Sequence, residues 1–211
     1  EIYPIKLKAK GDRKIHRENF KLMSFKADIR GKKRLKGMEE FSIQDPIIRN
    51  YASEAIVADL VRDNNIISPR NYFVKLYING EYVGLRHLEE SYSRELIESN
   101  KRRYGPIFSL KENIGENFGS TRIDVSDLKN WSDKQILKES LTFLELAQIY
   151  PIIIKEKFDQ KLWAKYLALM DVLNSLHGSY SKSVKFYLNP TTGLFEPAFF
   201  DGHTVYGSYE N

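Results

Sequence analysis

The stretch YFVKLYINGEYVGL, residues 72–85, decides the fold. Two runs rich in aromatic and apolar residues flank Asn79-Gly80, the dipeptide that best fits a two-residue type I′ turn. This pattern predicts a tight β-hairpin. A second hairpin is predicted near the end of the chain, where Val184–Leu188 and Leu194–Phe200 flank a turn at residues 189–193. Strands joined by such short turns run antiparallel.

Further elements are predicted outward from the first hairpin by the period of the apolar residues. Strands are predicted at Ile5–Ala9, Phe20–Ile29, Phe41–Ile43 and Ile107–Leu110. Helices are predicted at 47–62, 90–103, 133–149 and 159–176. The last helix is apolar on most sides and is predicted to be central.

The first helix has the clearest signals. Asp45-Pro46 is a good cap followed by a first-turn proline. Apolar residues then recur at helical spacing, and they define a stripe that should face the core. The stripe consists of Ile47, Ile48, Tyr51, Ala55, Ile56 and Leu60.

Blocks of helices between hairpin-linked strands predict an α+β fold with mainly antiparallel sheet. We predict a single domain over residues 1–211, divided into a sheet-rich part (1–111), a polar surface excursion (112–130) and a part that combines helices with the second hairpin (131–211). Because Glu1 begins what resembles the middle of a strand, and the chain stops soon after the second hairpin, we expect the chain to be truncated at one or both ends.

Composition narrows the classes of function. Thirteen tyrosines and twelve phenylalanines argue against disorder, and no apolar run reaches the ~18 residues of a membrane span. The absence of cysteine excludes disulfides and thiolate metal sites. The net charge of +5 is concentrated in basic residues between Lys6 and Lys36, which form either a solvated face or a surface for phosphates or acidic partners. Nucleic acid is an unlikely partner, because the basic run 30–36 has few aromatic residues for base stacking.

The second hairpin ends on a carboxylate. Asp201 follows the apolar run Leu194–Phe200, and Gly202 allows the chain to turn away. A carboxylate at the end of a strand is held by the sheet while it faces an open cleft, which suits a hard divalent cation. The alternative is a turn-forming or capping aspartate, which is the commoner role of such a residue.

The order of motifs along the chain is more specific than any single motif, and it resembles the CotH kinase family, which is named for a spore-coat protein. The matching segments are Lys8–Arg13, Ser24–Lys26, Lys36–Ile43, Ile48–Tyr51, Ile78–Leu85, Leu88–Glu90, Val184–Pro190 and Phe200–Gly202. The resemblance implies an atypical protein-kinase-like fold. It also implies ATP and Mg²⁺ or Mn²⁺ as cofactors, with phosphoryl transfer to a protein.

The resemblance also implies roles for individual residues. Asp201 resembles the metal-binding and catalytic aspartate. Lys26 resembles the base that contacts phosphate, and Glu90 resembles the carboxylate that orients such a base or a metal. Each has a simpler alternative: Lys26 as a surface lysine, and Glu90 as a helix-start residue, with the adjacent Glu89 as the possible true match. Arg49 is either a structural ion-pair former or a phosphate contact.

The first turn of the chain would lie over the phosphates in the same reading. Lys10 and Arg13 supply positive charge there, and Gly11 allows close approach of the backbone to the nucleotide.

Three positions depart from the commoner family pattern. His177 stands where the family has an aspartate that is a candidate base, and imidazole can take that role or simply be a satisfied loop residue. Ser183 replaces an asparagine that would help to hold the metal, and serine is a weaker oxygen ligand. His203 replaces a second aspartate after Asp201. His177, His203 and Asp201 could alternatively form a transition-metal site.

Two functions therefore compete. The first is an ATP- and metal-dependent phosphotransferase that acts on a protein substrate, with His177 and Asp201 catalytic and Ser183 beside the metal. The second is a pseudokinase-type module that binds a structural protein partner through its basic N-terminal third. The compartment is unknown from the residues, and the resemblance suggests the cell surface, the spore coat or secretion.

Overall fold

The chain is described here from a computed structural model, over residues 2–10, 23–111, 122–128, 131, 134–179 and 183–202. The strands of the described part are β1 (Ile5–Lys10), β2 (Ser24–Ile29), β3 (Glu40–Gln44), β4 (Asn71–Ile78), β5 (Glu81–Glu90), β6 (Ile107–Lys111), β7 (Arg122–Ser126), β8 (Lys185–Leu188) and β9 (Phe195–Ala198). Its α-helices are α1 (Ser53–Asp63), α2 (Arg94–Ser99), α3 (Gln135–Ile149), α4 (Ile154–Lys157) and α5 (Gln160–Val172).

The predicted first hairpin is confirmed. Strands β4 and β5 pair antiparallel across Asn79-Gly80. These two residues have φ angles of 52° and 85°, the positive values that both central residues of a type I′ turn require. Asparagine and glycine adopt this conformation at the least steric cost, so the dipeptide sets the register of the hairpin.

The hairpin is one edge of a five-stranded antiparallel sheet with the order β1-β2-β3-β5-β4. Because side chains alternate along a strand, the sheet has two different faces. One face is apolar and packs as a core cluster of Ala27, Ile29, Met38, Phe41 and Leu88. The other face carries polar residues that are nevertheless buried, namely Ser24, Ser42, Gln44, His87 and Glu89. A buried polar face needs partners, and this one receives them both from neighbouring strands and, through Arg49, from outside the sheet.

The helix predicted at 47–62 is interrupted. A short 3-10 helix spans Pro46–Arg49, and α1 begins only at Ser53. Asp45 caps the 3-10 helix by accepting a hydrogen bond from the backbone N–H of Ile47. Asn50 and Tyr51 have φ angles of 50° and 58°, which ends the first helical turn and redirects the chain.

The interruption makes the predicted apolar stripe wrong at four of its six positions. Ile47, Tyr51, Ile56 and Leu60 are exposed, whereas Ala55 is buried and Ile48 is half-buried. The other buried positions around α1 are Arg49, Glu54, Val57, Ala58 and Val61. The left-handed residues Asn50 and Tyr51 change the direction of the chain, so the residues before and after them do not lie on one continuous helix. The predicted stripe therefore combined residues that face different directions.

A second antiparallel sheet has the order β7-β6-β8-β9. Strand β7 lies inside the segment predicted as a surface excursion, where it pairs with β6 as an edge strand and has no fully buried residue. Residues 112–121 and 129–130 of that segment lie outside the described residues. The second hairpin, β8–β9, is confirmed, but β9 ends at Ala198 rather than Phe200. The backbone N–H of Phe199 leaves the hairpin to bond the carbonyl of Ile67.

Two of the other helices are shorter than predicted. The helix expected at 90–103 is only α2, because Glu90 is still paired in β5. The helix expected at 159–176 is α5 followed by a separate 3-10 helix at Leu176–Ser179, with a left-handed residue, Asn174, between them. Helix α5 is not central: its residues Leu167 and Val172 are exposed.

The second sheet packs under α3 and α5 through an aromatic cluster. Phe195 is fully buried and contacts the rings of Phe108, Phe143 and Phe158. Trp163 of α5 donates its indole N–H to the carbonyl of Phe195 at 2.9 Å. The α+β class with antiparallel sheets is therefore confirmed, and β9 is firmly held where the chain runs on toward Asp201.

Candidate functional site

The carboxylate at the end of the second hairpin reaches the polar face of the first sheet. Asp201 lies three residues beyond β9, with φ of 56°, a conformation that non-glycine residues adopt rarely. The preceding backbone is fixed, because Tyr92 donates its hydroxyl hydrogen to the carbonyl of Phe199. The side chain of Asp201 is only 16% exposed. Its carboxylate is thus held at the place where the two sheets approach each other.

Arg49 joins the carboxylates at this place. The end of the 3-10 helix directs its guanidinium inward, where it pairs with Glu54 at 3.0 Å, with Glu89 at 3.3 Å and with Asp201. Its side chain is only 9% exposed. Burial opposes its charge, but Glu89 and Glu54 outweigh burial and raise the pKa of Arg49 above its ordinary value. A single cation therefore connects residues that are far apart in the sequence.

Glu89 is the carboxylate that the first sheet contributes. Burial works against its ionisation, but Arg49 and Lys10 outweigh burial and lower the pKa of Glu89 to about 2. Its second support is Gln44, whose side-chain amide donates to the Glu89 carboxylate at 2.9 Å. Glu89 is therefore ionised and fixed in place at neutral pH.

Lys10 is a second cation on this face. It ends β1, and its Nζ donates to Ser42 Oγ at 2.6 Å. Burial lowers the pKa of Lys10, and Glu89 partly offsets that effect. Of the predicted nucleotide-binding residues, Lys10 is the one that the structure brings to the Arg49–Glu89 pair.

His177 and Ser183 contact Asp201 from the other side. Nδ1 of His177 lies 2.9 Å from the Asp201 carbonyl oxygen and 3.2 Å from its carboxylate. Ser183 is buried, and its hydroxyl donates to the Asp201 carboxylate at 3.4 Å. Since a carbonyl oxygen can only accept, the proton of a neutral His177 ring sits on Nδ1, and Nε2 is the atom left to accept another. The structure thus brings together His177, Ser183 and Asp201 as a group.

Two predicted nucleotide-binding residues are not in this group. Glu90 points to the opposite face of the sheet, where Arg70 binds it through both the backbone N–H and the guanidinium. Lys26 is a cross-strand neighbour of Ser42, but its ammonium pairs with Glu40 at 2.6 Å and its side chain is 47% exposed. Alternation along β5 places Glu89, not Glu90, beside Arg49.

The remaining predicted positions are Gly11, Arg13 and His203, which lie outside the described residues. Within the described ranges, no group of three histidine, aspartate or glutamate side chains is arranged to hold a metal ion. One oxygen of the Asp201 carboxylate is taken by Arg49, and the other faces His177 and Ser183. A cation that bound Asp201 would therefore have to share this carboxylate with Arg49.

The charge balance nonetheless suits an added cation. The cluster of Lys10, Arg49, Glu54, Glu89 and Asp201 contains one more carboxylate than cations. Mg²⁺ is usually held by one or two carboxylates together with waters and substrate phosphates. Asp201, with the Ser183 hydroxyl beside it, supplies oxygen donors of this type.

Sequence reasoning gave Glu89 only as the alternative to Glu90 and left the role of Arg49 open. The signal for Glu89 was present. In the first hairpin the apolar Leu88 faces the core. Because successive side chains of a strand point to opposite faces, Glu90 lies on the face of Leu88 and Glu89 lies on the other face. No local sequence pattern predicted that Arg49 joins these carboxylates, because the orientation of its side chain depends on the break in the helix at Asn50 and Tyr51.

Comparison with known protein families gives a match over nearly the whole chain. The sequence model of the family described as CotH kinase protein matches residues 5–211, which is nearly the whole chain. No curated protein matches the chain. Among the helices of the described residues, none has the length and apolar character to cross a membrane.

Proposed function

The chain belongs to the CotH kinase protein family, and from that premise we propose that it is an ATP- and divalent-metal-dependent kinase-like phosphotransferase with a protein acceptor. The observation that carries the proposal is the Arg49 bridge. It links a carboxylate of the first sheet, Glu89, to the carboxylate that follows the second hairpin, Asp201. Protein kinases likewise join a basic residue to a carboxylate between a strand and a helix, although there the base is on the strand, and they hold Mg²⁺ with an aspartate.

The cations of the cluster have distinct parts in this proposal. Lys10 is half-buried and bonded to Ser42, so its ammonium is pre-positioned to bind a phosphate oxygen. Glu89 orients both Lys10 and Arg49 by charge. When bound at Asp201, Mg²⁺ or Mn²⁺ would supply positive charge that neutralises the phosphates. Ser183 donates to the carboxylate oxygen that does not contact Arg49 and keeps it oriented.

His177 is proposed as the base that takes the proton of the acceptor hydroxyl. The Nδ1–H bond to the Asp201 carbonyl fixes the ring, and Nε2 is the accepting atom. A positioned general base contributes about 10²–10⁴-fold to a rate. His177→Gln is therefore expected to retain nucleotide binding and to lose transfer by about this factor.

The second candidate is a pseudokinase-type binding module of a cell-surface or spore-coat assembly. The observation that favours it is the ion pair between Arg49 and Asp201, which takes one carboxylate oxygen from a metal. In this alternative the cluster is structural, and the protein acts through its surface toward a structural protein partner.

Calorimetric titration with ATP separates the two candidates. The titration is run with Mg²⁺, with Mn²⁺ and with neither ion, on the wild type, Asp201→Asn, Glu89→Gln and Glu90→Gln. The phosphotransferase predicts binding that needs the metal and is lost in Asp201→Asn and Glu89→Gln. Glu90→Gln is the matched comparison, since it makes the same change on the other face of the same strand.

Two outcomes decide the matter. Metal-dependent binding, followed by transfer of radiolabelled γ-phosphate to protein, supports the phosphotransferase. An absence of binding with either metal contradicts it and favours the binding module. Loss of binding in Glu90→Gln but not in Glu89→Gln would show that the orienting carboxylate is Glu90.

A further inference from the structure

A concave pocket lies at the turn end of the second hairpin, away from the charged cluster. It encloses about 520 Å³, which is within the range of roughly 300–1,000 Å³ for ligand sites. It is lined by Arg94, Glu98, Arg102, Arg103, Tyr104, Trp131, Lys134 and Pro190. Pro190 lies in the turn of the hairpin, whereas Ser183 and Asp201 lie at its open end, so the two sites are at opposite ends of the same element.

The lining has a surplus of positive charge. Four of its residues are basic and one is acidic. Arg94 is paired with Glu98 at 2.7 Å, and Arg102 is paired with Glu196 at 3.1 Å. Within the described ranges of the chain, Arg103 and Lys134 have no carboxylate partner. Among the described residues, the pocket therefore presents two cations that form no salt bridge, Arg103 and Lys134.

Aromatic rings give the pocket a fixed shape. Tyr104 and Trp131 contact each other with centroids 4.9 Å apart. The ammonium of Lys134 lies 4.7 Å from the Trp131 ring centre, and the guanidinium of Arg94 lies 5.7 Å from that of Tyr104. Such cation–π contacts hold flexible basic side chains in place and reduce the entropy lost when they bind an anion. The Tyr104 hydroxyl is also fixed by a 2.5 Å hydrogen bond to Asp127.

We propose that this pocket binds an acidic segment of a partner polypeptide, with its carboxylate or phosphate groups on Arg103 and Lys134 and its apolar atoms against the aromatic rings. Tyrosine, tryptophan and arginine are the residues that most often dominate protein interfaces. An acidic peptide fits better than a small anion, because the half-buried Tyr104 and Pro190 leave apolar surface that a bare ion would not cover. The assignment concerns a site separate from the nucleotide cluster and does not depend on transfer.

The test measures fluorescence anisotropy of short labelled peptides with the whole chain in the absence of nucleotide. One peptide is rich in glutamate, a second carries phosphoserine at the same positions, and a third carries glutamine there. Arg103→Ala/Lys134→Ala is expected to lower affinity for the glutamate or phosphoserine peptide by about tenfold, since each lost pair contributes a few-fold. The preference between these two peptides identifies the source of the charge.

The matched control is Arg30→Ala/Lys161→Ala, which removes the same charge from exposed positions outside the pocket. The proposal requires this control to bind the acidic peptides as the wild type does, and it requires binding to weaken as salt shortens the Debye length to about 3 Å at 1 M. Equal weakening by both double variants would show only general charge attraction and would overturn the pocket. If the glutamine peptide bound as tightly as the glutamate and phosphoserine peptides, recognition would not depend on acidic groups, and the proposal would be overturned.

Two further results keep the pocket distinct from the other proposals. A labelled single-stranded oligonucleotide that binds more tightly than the peptides, and loses affinity in Arg103→Ala/Lys134→Ala, would replace the peptide by nucleic acid. Calorimetry with ATP on the same double variant should match the wild type, because the substituted residues are not in the Asp201 cluster. Failure of the peptide test thus leaves the phosphotransferase untouched, and the converse also holds.

Discussion

Removal of the Arg49 guanidinium is expected to destabilise the fold strongly. Arg49→Met keeps most of the side-chain volume but leaves Glu54, Glu89 and Asp201 without their shared cation. Breaking a buried ion pair from one side costs about 3–5 kcal/mol. For a chain of this length, 1 kcal/mol shifts Tm by roughly 2–4 °C. We therefore expect Tm to fall by roughly 6–20 °C.

The size of this loss should depend on pH. In the wild type the pKa of Glu89 is lowered to about 2, so the stability that its ionised form contributes is present above its ordinary pKa of 4.5 and is lost as pH falls toward 2. Without Arg49, the largest effect that lowers the pKa of Glu89 is gone and burial still raises it, so we expect the pKa of Glu89 to rise in the variant. The variant then gains stability on protonation as the pH falls. Because the wild type loses this contribution only below its ordinary pKa, the change in the variant alone should make the difference between the two proteins smaller at about pH 5 than at about pH 7.5.

Urea unfolding followed by tryptophan fluorescence measures this difference at both pH values. The control is Arg30→Met, which breaks an exposed pair with Asp28 whose arginine is 56% exposed. Exposed pairs contribute about 0–1 kcal/mol, so the control should unfold nearly as the wild type does. A loss in Arg49→Met no larger than in the control would refute the reasoning, as would a loss that does not change with pH.

Three other substitutions probe the fold away from Arg49. Burial lowers the pKa of His87 from 6.5 to about 4. The native state should therefore lose stability as the pH drops from 6.5 toward 4, by at most about 3 kcal/mol. Thermal melts of His87→Gln should show a Tm that changes less with pH over this range than the Tm of the wild type. Phe195→Ala empties the centre of the aromatic cluster and should cost about 3–5 kcal/mol in urea unfolding. Gly105→Ala would place a Cβ 2.3 Å from the carbonyl oxygen of Leu188, so circular dichroism melts should show a lower Tm, whereas an unchanged Tm would contradict the contact.

The sequence predicted those elements whose signals are local. The Asn79-Gly80 turn needs only the dipeptide and its flanking strands, and it is found as expected. The apolar period also located α3 to within a few residues. The α+β class followed from the order of such elements.

Elements that depend on distant contacts were predicted poorly. Strand β7 has only two apolar residues, Ile123 and Val125, in a largely polar segment, and β6 supplies its hydrogen bonds. Strand β9 stops early because Ile67, far away in the sequence, takes the N–H of Phe199. The break after Arg49 depends on two left-handed residues, one of them a tyrosine, which no propensity would favour there.

The candidate site shows the same division. Asp201 was found from its place after a hairpin, and the structure brings His177 and Ser183 to it. The partner on the first sheet could be fixed only by the pleat, which separates Glu89 from Glu90 onto opposite faces. An error of one position along a strand places the assigned side chain on the opposite face of the sheet, where its neighbours and therefore its chemistry are different.

The buried cluster can be tested as a whole, because stability and function make opposite demands on it. Removing only Arg49 should be costly, but replacing a complete buried ion network by apolar residues of similar size is often neutral or stabilising by 1–4 kcal/mol. Arg49→Met/Glu54→Leu/Glu89→Leu replaces the three most buried members and leaves Lys10 and Asp201 at the edge of the cluster, so it is expected to unfold at a higher urea concentration than Arg49→Met, close to that of the wild type. If this triple variant is stable and has lost metal-dependent ATP binding, the cluster serves the ligand rather than the fold. If it unfolds as readily as Arg49→Met alone, the network is needed for the structure, and its charges alone are no argument for a nucleotide site.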